Sequence, residues 1–404
     1  MYDVMEGVRV VEVAEHTFVP SAAMILADWG ADVVKVERPG DGGDMGRHMR
    51  AIRRPGLRAN PFFEAANRGK RSIGLDLTQA EGRQQLYALV EGADVFLTNM
   101  RDDARAKLGI EPADLMARNP RLVYGRASGY GPRGPMARSR GFDYPSSWCR
   151  AGSAYVQTPV DGGPPPPQPG SVGDLCGGAT LAGAVAAALF RRERTGRGTV
   201  VDHALYLMGT YIMSQSVISA SLGWQPSGPP APRAEAADPA NNIYRTKDGR
   251  WLVLCLLYDQ WWPDLARTLG HEEWLSDPRY VDQPARAANN VALIAELDAI
   301  FSTRTLAEWE EALAGIEGAW SPLKSPAEVV ADVQALENGF VTPVDFPDGG
   351  HYLTGASPAQ FDGRPIGRLR AAPAHAEDTD DVLRELGLSE GQIAGLRRRG
   401  VITA

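Results

Sequence analysis

The chain has 404 residues, a formal net charge of −8, a hydrophobic share of 44% and a charged share of 23%. Its length exceeds one ordinary core, so two domains are expected, and its composition is that of a soluble globular protein and excludes a disordered one. The acidic balance argues against a nucleic-acid partner, because a phosphate backbone calls for a net basic face.

The N-terminus, MYDVMEGVRVVEVAEH, has no basic stretch followed by an apolar core and carries acids from Asp3 onward. A secretory signal is not expected, and the cytoplasm is the expected compartment. Strands are predicted over 8–13, 32–37, 72–77, 94–98 and 122–126, which are rich in Val and Ile and bounded by Gly, Pro or Asn. Helices are predicted between them over 21–29 and 79–91, the second from Leu86, Leu89 and Val90 at helical spacing. This βαβ order implies an α/β fold with a parallel sheet in a Rossmann-like arrangement. Two Pro-rich segments follow, PVDGGPPPPQPG (159–170) as a stiff loop and QPSGPPAPRAEAADPAN (225–241) with the composition of a linker. NIYRTKDGRWLVLCLL then reads as a hairpin turning at Lys247, Asp248 and Gly249, and helices are predicted over 260–269 and 306–313. The expected division is 1–204 as the N-terminal part of a large domain, 205–240 as a linker and 241–322 as a smaller α+β domain. Residues 323–404 are expected to link back and complete the large domain, with helices in AEVVADVQAL and TDDVLRELG and a basic end, LRRRG.

The longest apolar run, 181–190, is about half the length needed to cross a bilayer, so no membrane partner is expected. Cys149, Cys176 and Cys255 form no CxxC pair and the six histidines show no HxxxH spacing, so neither a metal site nor a disulfide framework is expected.

Within SVGDLCGGATLAGAVAAALFRRERTGRG (171–198), Asp174 stands at or near a helix N-cap, and Arg191, Arg192 and Arg194 occupy the last turn before Gly196 and Gly198. The helix dipole accounts for both ends. Asp174 is then either a cap stabilising the helix by about 1 kcal/mol or a nucleophile toward an activated acyl group. The second reading has helix-end N–H groups keep the carboxylate ionised, with Gly177 and Gly178 leaving room for a bulky group against the backbone. Composition does not choose between the two.

The order of motifs resembles the family III CoA-transferases, which include formyl-CoA transferase, carnitine CoA-transferase and the α-methylacyl-CoA racemases. The matching pieces are GVRVVEVA, GADVVKVERPGDG, NRGKRSIGLDL, TNMR with KLGI, SGYGPRGP, GFDY, the GD…GG helix ending RRERTGRGTVVDHALY, and YRTKDGRWL. They run nearly the whole length, and their order and spacing are more specific than any one piece. The resemblance implies that Asp174 attacks the acyl-CoA thioester and passes through an acyl anhydride and a β-aspartyl-CoA thioester before CoA moves to an acceptor carboxylate. It implies coenzyme A as the thioester substrate and product, with no metal and no NAD. It also implies a homodimer of two interlinked ring-like subunits. CoA carries phosphates, and bases after strand ends are where an α/β sheet places them: Arg38, Arg68, Lys70, Arg71, Arg101, Lys107 and Arg140. Family position raises Arg38, Lys70 and Lys107 among them and adds Ile73, Asn99 and Met100 around the nucleotide and pantetheine. His16, Thr17, Phe142 and Tyr144 would line the substrate pocket, with Trp148 beside Tyr144.

Three departures narrow the reading. The racemase branch has His before the acid of the GxD segment, where this chain has Phe142, which carries no proton, so a two-base racemase is disfavoured. Thr17 and the run Tyr258, Asp259, Gln260, Trp261, Trp262 replace the glutamine and the mobile glycine loop of the formyl transferase, which argues against oxalate or formate. Trp261 and Trp262 read either as pocket wall or as ordinary packing. A dehydrogenase is disfavoured because no GxGxxG follows the first strand, and a binding-only relative has no need of a carboxylate near a thiolate leaving group.

Overall fold

A computed structural model describes residues 2–40, 42–49, 56–159, 162–224 and 231–403. The QPSGPP half of the predicted linker, 225–230, and residues 160–161 of the first Pro-rich loop lie outside the described residues. The chain forms two compact units: Met1–Tyr155, Pro167–Gln225 and Asp332–Ala404 make the first, and Val156–Pro166 with Pro226–Ala331 make the second.

The first unit is built on six parallel strands: β1 (Arg9–Val13), β2 (Asp32–Glu37), β3 (Arg71–Gly74), β4 (Val95–Thr98), β5 (Val123–Ser128) and β6 (Thr199–Ala204). Their order is β3-β2-β1-β4-β5-β6, the doubly wound order that reverses between β1 and β4 and leaves a ligand crevice at the strand C-terminal ends. Both faces are covered, which is why the strands read as runs of Val rather than as alternation with polar residues. The pleat still sorts them. Val10, Val33, Val95 and Leu97 point into one core, while Val11, Val34, Val36 and Phe96 point into the other.

Helix α1 (Phe18–Asp28), short α2 (Pro61–Asn67), α3 (Ala80–Glu91), α4 (Asp102–Leu108) and α5 (Pro112–Met116) connect the strands. After the brief α6 (Ser153–Val156) comes α7 (Val172–Thr195), which ends at Gly196 in the left-handed conformation with φ 70°. Every residue of α1 is buried, because it lies between the sheet and α7. The two helices approach closely where α7 has Gly177 and Gly178: a Cβ on the first would stand 2.5 Å from the Phe18 ring and on the second 1.9 Å from Ser21 Oγ. Helix α7 is long and apolar enough to cross a membrane, and in this unit its apolar side packs into the core. Helices α8 (Leu205–Ile212) and α9 (Ser214–Ser221) occupy the first part of the stretch read as linker.

In the second unit, β7 (Ile243–Arg245) and β8 (Trp251–Cys255) form the predicted hairpin and β9 (Ala319–Pro322) joins it as a third antiparallel strand. Helices α10 (Trp262–Leu269), α11 (Gln283–Ala288), α12 (Asn290–Phe301), α13 (Leu306–Leu313) and α14 (Pro326–Val330) complete it. Trp262 is buried and stacks on Trp274 with ring centroids 5.5 Å apart, so it is core packing, whereas Trp261 is half-buried.

The C-terminal segment returns to the first unit. The predicted AEVVADVQAL helix is split, because Asp332 accepts from Gln334 N–H and caps a new helix, α15 (Val333–Glu337). A three-stranded sheet of β10 (Val341–Asp345), β11 (His351–Gly355) and β12 (Leu369–Arg370) follows, and its strands, at most five residues long and mixed in composition, are too short to mark themselves in the sequence. Helices α16 (Thr379–Glu385) and α17 (Glu390–Arg398) then cover the second face of the main sheet through Val382, Leu383, Ile393 and Leu396.

Candidate active site

Asp174 lies inside the first turn of α7, three positions after the cap residue Ser171, not at the N-cap itself. Its backbone N–H donates to Asp143 Oδ2 at 3.1 Å and its carbonyl accepts from Ser21 Oγ at 3.4 Å, while its half-buried carboxyl makes no hydrogen bond to a described residue. Burial, reinforced by the charge of Asp143, pushes the Asp174 carboxyl up to about 7. That corrects the expectation of a fully ionised acid: the helix-end dipole is outweighed by desolvation and a neighbouring carboxylate. Gly177 and Gly178 are corrected too. The space that their missing side chains leave is filled by Phe18 and Ser21 of α1, so they set the helix packing beneath Asp174 and leave no room for a substrate.

The turn between β1 and α1 carries the next residues. His16 adopts φ 69°, a left-handed conformation that a non-glycine residue holds only under constraint. The constraint is Asp44 Oδ1, which accepts the His16 N–H at 2.9 Å. The His16 ring meets Phe142 edge to face at 5.5 Å, and Phe142 and Tyr144 are both exposed. Thr17 is buried and its hydroxyl has no partner among the described residues.

At the strand ends a cavity of about 1010 Å³ is lined by Arg38, Met100 and Arg140 together with Arg101 and, from the C-terminal helix, Arg397. Arg38 sits 3.5 Å from Glu15 and Asn99 bridges the Glu15 backbone, accepting its N–H at 3.1 Å and donating to its carbonyl at 2.7 Å. Helix α4 carries Lys107 on its exposed side, while its neighbour Leu108 lines the cavity.

Three further expectations are revised. Lys70 is fully enclosed and its ammonium donates to Glu12 Oε2 at 2.6 Å, the Pro20 carbonyl at 2.9 Å and Asn67 Oδ1 at 2.9 Å. All three of its donors are used, so it has none to offer a phosphate. Ile73 is wholly buried in the core of the sheet. Arg71 is held by Asp32 and Glu385 on the outer edge strand. Lys70 belongs to an enclosed cluster in which Lys35 Nζ lies 2.7 Å from Glu12 Oε1 and 2.8 Å from Asp44 Oδ2. Burial pulls Lys70 down to about 8 despite Glu12, whereas on Lys35 the same penalty is outweighed by Asp44, Glu12 and Glu37, which hold it above its usual value. Among the described residues no group of His, Cys, Asp and Glu is arranged to hold a metal ion.

Sequence reasoning passed over Asp143, Gln168, Asp44 and Arg397. Asp143 stood in the GFDY motif, where attention fell on the missing histidine, and Arg397 stood in the basic end LRRRG. Gln168 and Asp44 lie in loops without periodicity and had no signal to give.

A doubly wound sheet with an arginine-lined cavity at its strand ends, and a helix whose first turn carries an acid bonded to no described side chain, has the architecture of an α/β enzyme. The chain belongs to CoA-transferase family III, whose profile matches residues 5–379. It is similar to the (R)-2-hydroxy-4-methylpentanoate CoA-transferase of Clostridioides difficile, 29% identical over 98% of this chain and 99% of that protein. It also resembles the probable fatty acyl-CoA transferase Rv3272 of Mycobacterium tuberculosis, 33% identical over 76% of this chain and 79% of the other. A solved CaiB/BaiF family protein from Brucella suis superposes with a TM-score of 0.81 at 28% identity, covering 95% of this chain and 99% of that one. At this level the protein is a family III CoA-transferase.

Proposed function

We propose that the protein moves CoA from an acyl-CoA donor to an acceptor carboxylic acid through two covalent states of the Asp174 carboxyl. The Asp174 carboxylate attacks the thioester carbonyl; the C–S bond breaks, CoA leaves as thiolate and a mixed anhydride remains. The thiolate then attacks the Asp174 carbonyl of that anhydride, releasing the donor acid and leaving a β-aspartyl-CoA thioester. The acceptor carboxylate attacks this thioester, CoA thiolate leaves again, and its attack on the acceptor's acyl carbon forms the product and frees Asp174. No net proton is exchanged and no redox partner is needed.

The observation that carries this reading is the Asp174 carboxyl itself: held by its backbone at a helix start, half-buried, and bonded to no described side chain. A carboxyl whose proton affinity is raised to about 7 is ionised in about half of the molecules at neutral pH and is a stronger nucleophile than an ordinary aspartate when ionised. The cavity lined by Arg38, Met100, Arg101, Arg140 and Arg397 is the proposed seat of the CoA phosphates, and Asn99 and Lys107, which adjoin Met100 and Leu108 in sequence, are proposed to assist there. His16, Thr17, Phe142 and Tyr144 are the proposed walls of the acyl pocket. A homodimer is part of the reading, supported by the exposed Leu207, Tyr211, Val217, Ile218 and Leu222 on and just after α8 and α9, an apolar run that a monomer rarely leaves open.

The test is to incubate the protein with a pool of acyl-CoA thioesters, quench, and map the Asp174 peptide by mass. A CoA adduct in the wild type and none in Asp174→Ala is the expected result. Full turnover by Asp174→Ala would overturn the reading.

A further inference from the structure

The carboxyl of Asp143 is nine-tenths enclosed and takes no part in the chemistry proposed above. Its Oδ1 accepts the Ser147 hydroxyl, its Oδ2 accepts Gln168 Nε2 at 2.5 Å, and the same Oδ2 accepts the Asp174 N–H at 3.1 Å. The contact is possible because residue 173 is glycine: a Cβ there would stand 2.1 Å from Asp143 Oδ1 and 2.2 Å from Ser147 Oγ. Loop, helix and glycine are thus fitted around one carboxylate that grips the peptide of the reactive acid.

We propose that Asp143 is a positioning residue that fixes the first turn of α7 and sets a negative charge beside the Asp174 carboxyl, strengthening it as a nucleophile. Capping alone would be served equally well by a neutral acceptor, since a buried like charge beside a carboxylate is costly. Ser or Asn would satisfy the same N–H without a charge, so beyond its bonds to Ser147 and Gln168 the Asp143 carboxylate adds a charge that acts on its neighbour. The titratable groups on the elements packed around α7 are Asp143, Tyr144 and Cys149 on the 144–149 helical turn and its cap, Arg126 on β5, Asp202 and His203 on β6, Tyr206 and Tyr211 on α8, and Asp28 on α1, paired with Arg68 at 2.7 Å, with His16 at the mouth of that helix. Arg126 and Asp202 are paired with each other at 2.6 Å, and His203 lies behind the Phe18 ring at 5.4 Å. Asp143 is the charge that acts on Asp174.

This inference rests on Asp174 being the nucleophile, and the test separates the two. The pH dependence of kcat/KM is measured with a saturating acceptor acid and an accepted acyl-CoA for wild type, Asp143→Asn and Asp143→Ser. The wild-type profile is expected to rise about tenfold per pH unit and level off near pH 7. In both variants the midpoint is expected to fall by about one pH unit and the plateau to drop severalfold, because the freed acid is less basic. Asp143→Ser leaves space rather than an amide group beside Gln168, so the result does not hang on one variant folding. Asp143→Glu, which restores the charge, is expected to return the midpoint toward 7. An unmoved midpoint in both neutral variants, with Asp174→Ala inactive, overturns the role given to Asp143 and leaves the nucleophile standing. An active Asp174→Ala sinks the nucleophile first.

Discussion

Around β1 and β2, Glu12, Lys35, Lys70 and Asp44 enclose two cations and two acids with every charge within 3 Å of an opposite one. At the start of α7, Asp143 and Asp174 place two carboxyls together, and among the described residues no cation acts on Asp174. Both groups are withdrawn from water, and the cost of withdrawal is met in opposite ways. The first is balanced internally and holds the His16 turn through Asp44. The second is left unbalanced, which on the proposed reading is what makes its carboxylate reactive toward an acyl carbon. On that reading a sheet core that fixes geometry and a helix mouth that stores reactivity are told apart by pairing, not by burial.

The comparison is broken most severely by taking a cation from the balanced group. Lys35→Met leaves Glu12 and Asp44 enclosed with one partner fewer, and stability is expected to fall by about 3–5 kcal/mol. Urea denaturation followed by circular dichroism measures it. A loss below about 1 kcal/mol would mean that water reaches the cluster, and that its balance is not what holds the turn.

At the unbalanced site the same operation has the opposite sign. The Asp174 carboxyl has its folded-state affinity raised from 3.8 to about 7, so the folded protein binds that proton more tightly than the unfolded chain does. The cost of ionising it is absent at pH 3.5, grows between about 4 and 7, and is fully present above 7. Asp174→Asn removes the charge and is expected to stabilise the fold by about 1–2 kcal/mol at pH 8, discounted for partial solvent contact, and by little at pH 4. Paired urea midpoints at the two pH values are the measurement. Destabilisation at pH 8 would show that the carboxylate is well solvated and that the contrast with the cluster is false.

The sequence made the scaffold legible wherever local pattern and burial agreed. The Val-rich strands, the glycine stop after α7 and the hairpin turning at Lys247, Asp248 and Gly249 each carry their geometry within a few residues. Motif order picked out Asp174, Arg38, Met100 and Arg140, which the structure sets at the helix mouth and along the crevice. What pattern does not encode is what faces what. Lys70 and Arg38 are both bases at the end of a strand, yet Lys70, just before β3, turns inward to Glu12, and Arg38, just after β2, lines the cavity. Gly177 and Gly178 look like room for a ligand until Phe18, more than 150 positions away, is seen to occupy it. The pairing of Asp143 with Asp174 spans 31 positions and a loop without periodicity, so only the fold reveals it.

The smallest effect is expected where the C-terminal segment closes the crevice. Arg397 donates through Nε to the Thr403 carbonyl at 3.1 Å and lies 2.5 Å from Asp380 Oδ1, which leaves part of its guanidinium facing the cavity beside Gly400 and Ile402. On the proposed reading it adds a partly screened positive charge for a CoA phosphate, a contact formed alike in ground and transition states. Arg397→Ala is therefore expected to raise KM for the acyl-CoA about threefold to tenfold while kcat at saturation is unchanged, and to reduce the sensitivity of KM to salt. A fall in kcat at constant KM would place the segment's influence at Asp174 instead of the crevice, and would erase the separation between the region that binds and the region that reacts.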